Sequence, residues 1–129
     1  WGERYEARIA NAPLNEAWLQ ATEAAGLNPV VPEKPNRASS DFGDVSQQLP
    51  AAHVYFGITD APTPVHSPEF CAAAGADLGV QRMLIAAEAL AVAGHRYVTD
   101  TEFRERARTD YERAVAAREA VAQAPRLWS

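Results

Sequence analysis

The chain has 129 residues, 47% of them hydrophobic and 22% charged, a balance that suits one globular domain able to bury about two-thirds of its surface. Its formal charge is −5 and Lys34 is its only lysine, which excludes a general attraction to phosphate backbones, so nucleic acid is not an expected partner. The single cysteine, Cys71, excludes an internal disulfide, and His53, His66 and His95 stand in no short zinc-ligand spacing.

The first residue is Trp1, and no basic segment leading into an apolar run precedes the first helical pattern, so we read the chain as starting within a longer protein. A short helical pattern carries Tyr5 and Ile9. From Pro13 to Ala25, Leu14, Ala17, Trp18, Ala21 and Ala25 recur at the spacing of an amphipathic helix, and Gly26 supplies its stop. Pro29, Pro32 and Pro35 then push their predecessors away from helical geometry, which predicts an extended connector over Asn28 to Arg37.

The next stretch, Ala38 to Ser46, gathers three serines and two acids around Gly43. Such a composition suits a loop presenting hydroxyls and backbone N–H groups to a ligand, and on composition alone more often marks a turn or helix cap. Ala52 to Ile58 is short, rich in β-formers and bounded by Pro50 and by Asp60 to Pro64, which predicts a strand covered on both faces.

Ser67, Pro68 and Glu69 read as an N-cap, a first-turn proline and an acid at the positive end of a helix dipole. His66 therefore stands directly before a helix N-terminus, where the dipole favours the neutral ring that binds cations. Interruptions are expected at Gly75 and Gly79, followed by a long helix over Asp77 to Arg96. Its polar residues Asp77, Gln81 and Glu88 share one narrow stripe, so its other sides demand neighbours. The most apolar run, Met83 to Ala93, is far shorter than the roughly 20 residues that span a bilayer, and no membrane partner is expected.

Thr99-Asp100-Thr101-Glu102 has the pattern of a capping box and opens a last helix with Phe103, Ala107, Tyr111, Ala114, Val115 and Val121 on its apolar side. Acids and arginines interleave along that helix, as on a solvated face with i, i+4 pairs. A serine triad from Ser40 or Ser46 with His66 and Asp41 lacks a Gly-x-Ser-x-Gly elbow. Cys71 reads as a small buried thiol and His95 as a cap or surface residue.

Three motifs arrive in order: Ala-Ser-Ser-Asp-Phe-Gly-Asp-Val-Ser at 38–46, Pro-Ala-Ala-His-Val-Tyr-Phe-Gly-Ile at 50–58 and Val-His-Ser-Pro-Glu-Phe at 65–70. The ordered set resembles metallopeptidase family 20, the aminoacylase and glutamate-carboxypeptidase type. It is most similar to the amidohydrolase branch with aminobenzoyl-glutamate hydrolase and the Xaa-Arg (β-alanyl-lysine) dipeptidases. The resemblance runs from about Tyr5 to Tyr111.

It implies an α/β fold: a partial three-layer sandwich of the zinc-exopeptidase type, here mostly helices around one or two central strands. Residues 1–129 would be the C-terminal half of a metallohydrolase catalytic domain, without its N-terminal half and its lid domain. His66 matches the last metal ligand; Ser40, Asp41 and Gly43 match the loop lining the substrate pocket; His53 and Ser39 fall behind the metal ligands. The implied enzyme holds two divalent ions, zinc by preference with manganese or cobalt possible by ligand chemistry, and hydrolyses amide bonds of small peptides, N-acyl or aminobenzoyl amino acids. A homodimer through the lid domain and a cytoplasmic location complete the expectation. Because this stretch lacks the general base and the other ligands, the chain alone would be inactive. The competing reading is a noncatalytic helical interaction or assembly module of the same half-domain shape.

Overall fold

The computed structural model describes residues 5–28 and 40–123, the side chain of Ala122 excepted. It contains five helices among them: α1 (Ala12–Ala24), α2 (Phe42–Ser46), α3 (Pro68–Ala74), α4 (Asp77–Thr99) and α5 (Thr101–Gln123). Helices α1, α4 and α5 pack on one another, and α3 leans on α4. The expected α/β sandwich is thereby corrected, since the described residues form no strand and no sheet.

The reason lies in residues 52–58. Their alternation is real: Val54 packs against buried Trp18, Ala86 and Ala89, while His53 and Tyr55 face outward. A strand, however, exists only in a ladder with a neighbour that takes up its N–H and C=O groups. Among the described residues nothing pairs with this segment, so it crosses the helices as extended chain.

Helix α1 forms where its periodicity predicts, but Asn11 sets its start. The Asn11 Oδ1 accepts the Leu14 N–H at 3.2 Å, and Nδ2 donates 2.8 Å to the Ala107 carbonyl of α5. One fully buried side chain therefore caps α1 and ties it to α5. Its cap alone is worth about 1 kcal/mol. The helical pattern expected around Tyr5 and Ile9 is not realised, because residues 5–10 spend their backbone groups on the 44–47 stretch instead.

The core between the three long helices is built from small residues. Ala17 and Ala93 close on Phe103, flanked by Leu14 and Tyr97; Trp18 meets Ala86 and Ala89. Alanines let helix axes approach closely, and Phe103 fills the remaining space. The Arg96 guanidinium stands 4.5 Å from its ring centroid, a cation–π contact worth about 0.5–1 kcal/mol. Trp18 Nε1 is buried without a hydrogen-bond partner among the described residues.

The break between α3 and α4 comes at Gly75 and Ala76, and the two helices bend 64° there. Gly79 does not interrupt the chain as expected. It lies inside α4, where an added Cβ would overlap the Ala73 carbonyl oxygen, so glycine is what lets α4 start against the end of α3. The cap of α5 also moves by one residue: Asp100 Oδ1, not Thr99, accepts the Phe103 N–H at 2.9 Å. Thr99 instead donates back to the His95 carbonyl at 2.9 Å. No single helix among the described residues is long and apolar enough to cross a membrane.

Candidate functional site

Two places carry the residues singled out by sequence, and each is built locally. The first is the helix boundary at His66. Ser67 caps α3, its Oγ accepting the Phe70 N–H at 3.1 Å, and Pro68 occupies the first turn. The Glu69 carboxyl is held below the usual carboxylate range, first by its own backbone N–H and then by the Ser67 hydroxyl. Against this regular start, His66 takes φ +63°, the only non-glycine residue described with a left-handed backbone. Such a conformation costs an L-residue about 1–2 kcal/mol, although histidine is several-fold enriched there. The ring is exposed, next to Val65 at 64% exposure.

The second place is the 40–47 stretch, where α2 forms within what composition reads as a loop. Ser40 Oγ accepts the Phe42 N–H at 3.2 Å, and Asp41 is exposed at the head of α2. Gly43 is buried, and a Cβ placed on it would overlap the Glu6 carbonyl oxygen, so its lack of a side chain is a packing requirement. Asp44 Oδ1 accepts the Glu6 N–H at 2.8 Å. Ser46 Oγ accepts the Ile9 N–H at 2.9 Å and donates to the Gly43 carbonyl at 2.7 Å. Asp44, Gly43 and Ser46 thus fasten residues 6–9, while Asp41 is exposed and Ser40 half-buried at the head of α2. Ser39 lies outside the described residues.

Sequence reasoning missed what surrounds His53. Arg8 Nη1 lies 3.1 Å from His53 Nδ1 and donates to Tyr55 Oη at 3.0 Å. Phe42 and Tyr55 each lie against the His53 ring in a tilted arrangement, with centroids 4.6 Å and 4.9 Å from it. The i, i+2 placement of His53 and Tyr55 signals a shared side, but nothing in the sequence announces Arg8.

No group of three or more His, Cys, Asp or Glu side chains among the described residues could hold a metal ion. The imidazole of His66 fits a divalent ion as one ligand and no more; Cys71 is exposed rather than buried as expected. Comparison with protein-family models, curated proteins and solved structures found no match to this chain.

Proposed function

We propose that this chain is one wall of a two-metal amide hydrolase, with His66 holding one divalent ion and Ser40 and Asp41 facing the substrate. The reading is supported by the resemblance of the three ordered motifs and, in the structure, chiefly by one observation: an exposed imidazole kept at φ +63° immediately before a well-capped helix. Unfavourable backbone conformations in otherwise regular surroundings concentrate at ligand-binding positions.

When bound, the metal pair supplies a hydroxide at neutral pH and polarises the amide carbonyl. His66 contributes a fixed ligand, its backbone set by the cap at Ser67. Gly43 acts by letting residues 6–9 close on α2, which positions Ser40 and Asp41. Zinc suits the imidazole best, with manganese or cobalt acceptable, and the substrate is a small peptide or N-acyl amino acid. The general base and the remaining ligands would come from residues outside this stretch.

Metal content measured on the full protein tests the assignment. His66→Ala should lose one ion per active site together with hydrolysis of N-acyl amino acids and dipeptides. Full occupancy and activity in that variant would refute it.

A second reading, a noncatalytic helical assembly module, is favoured by the outer side of α4, where Met83, Leu84, Leu90 and Val92 are each about half exposed or more. Sedimentation and zinc titration of the 129-residue chain separate the two. A cooperatively folding assembly indifferent to zinc supports the module.

A further inference from the structure

We propose that the C-terminal half of α4 is an interface between two copies of this chain, packed antiparallel about a two-fold axis that crosses the helix between Ala91 and Gly94. Ala87, Ala91, Gly94 and Val98 are all exposed and recur at spacings of four, three and four residues, the 3.5-residue period of a helix–helix seam. Their line is separate from buried Ala86, Ala89 and Ala93, which already face α1 and α5. Val98 is 73% exposed at one end of the seam, and a Cβ added at Gly94 would have nothing within 4 Å. Side chains this small at the contact let a second helix approach closely.

A second copy is the occupant because the flanks of the seam complement themselves. In a two-fold antiparallel pair, each residue faces the one equally far beyond the axis. Ala91 then meets Gly94 of the second copy, and Ala87 meets Val98. On one flank Glu88 faces His95, a carboxylate against an imidazole N–H, and the axis repeats the pair. Neither side chain has a partner among the described residues, and the positions three and four away from each on α4 carry no charge. On the other flank Leu90 faces Tyr97, beside a groove of about 350 Å³ lined by Leu14, Trp18, Pro50, Leu90, Gly94 and Tyr97, which Leu90 of the second copy enters. Charge also fixes the register: with the axis one turn nearer the N-terminus, Glu88 would face Glu88 of the second copy. Met83 and Leu84 lie beyond the end of the seam, and the interface requires neither a metal nor His66, so it goes beyond the hydrolase reading without resting on it.

The test is disulfide cross-linking of the full protein under mild oxidation, with Cys71→Ser as the common background. Ala91→Cys chains mixed with Gly94→Cys chains should cross-link to each other, since a disulfide needs Cα atoms within about 7 Å. Val121→Cys, at a similarly exposed position on α5, should not cross-link. Adding Glu88→Arg should lower the yield at limiting concentration about fivefold, because the axis breaks two exposed pairs at once, with the circular dichroism spectrum unchanged. Combining Glu88→Arg with His95→Glu exchanges the charges and should restore the yield. Adding His66→Ala should leave it unaltered, whatever the metal content. No cross-link between positions 91 and 94, equal cross-linking at position 121, an undiminished yield with Glu88→Arg, or no recovery in the exchanged pair would each overturn the proposal.

Discussion

The backbone at His66 makes a prediction that separates its conformation from its side chain. At φ +63° an L-residue carries about 1–2 kcal/mol of steric cost that glycine does not, against about 0.5–1 kcal/mol of extra chain entropy that glycine loses on folding. The net expectation for His66→Gly is a gain of about 0.5–1 kcal/mol. His66→Ala keeps the Cβ and so the cost; because the ring is exposed, that change should alter stability by less than about 0.5 kcal/mol. Urea unfolding of both variants at one pH reads the difference as a shift in midpoint at constant slope. A glycine variant no more stable than the alanine variant would refute the strain argument, and with it the main structural support for a ligand role. If both results hold, this site gives up stability to place an imidazole, a trade common at functional positions.

Other consequences follow from the same packing. Asn11→Ala should cost about 2 kcal/mol, roughly 1 for the cap of α1 and 1 for the bond to Ala107, and Asn11→Ser should recover only the first part in thermal or urea unfolding. Gly43→Ala should detach residues 6–9 from α2, because the added methyl meets the Glu6 carbonyl rather than a movable side chain; amide exchange at Glu6 and Ile9 should accelerate while α4 stays protected. The Asp100 carboxyl is held below its ordinary range, chiefly by the Phe103 N–H, with burial opposing the shift and Arg96 adding to it. Its contribution is fully present above the unfolded-state value and is lost as pH falls through the depressed folded-state value. The urea midpoint of the wild type should therefore drop at acid pH more steeply than that of Asp100→Asn.

Helices were legible where they depend on local chemistry. Periodicity gave α1, α4 and α5, and Ser67 with Pro68 marked the start of α3 to the residue. What failed depends on partners distant in sequence. The β-rich segment 52–58 reads as a strand because Val, Tyr, Phe and Ile favour pleated surfaces, yet the structure offers it helices rather than a neighbouring strand. Residues 38–46 read as a ligand loop or, on composition, as a turn or helix cap; the described part forms a cap and the short helix α2, whereas the partners of Asp44 and Ser46, 38 and 37 positions away, were not legible. His53 was singled out from the strand motif; its tie to Arg8, 45 positions away, could not be. The expectation that α4 needs neighbours on several sides depends only on its own composition, and the structure answers it on one side, where Gly79, Ala86, Ala89 and Ala93 are buried.

That uncovered side yields the sharpest distinction between the two functional readings. The buried face of α4 is made of small residues, while Met83, Leu84 and Leu90 are 49%, 60% and 48% exposed, the reverse of the usual placement of large apolar side chains. Each buried methylene is worth about 0.8 kcal/mol, so an alanine interface gains little and the larger residues would gain more once covered. If the chain is a wall of a larger hydrolase, Leu84 is buried in the full protein. Leu84→Gln should then cost about 2 kcal/mol or more there, and less than about 0.5 kcal/mol in the excised 129-residue chain. Equally small effects in the two contexts would mean that the outer side of α4 meets water in both, and equally large ones that the excised chain covers it by assembling; in either case the wall reading would fall.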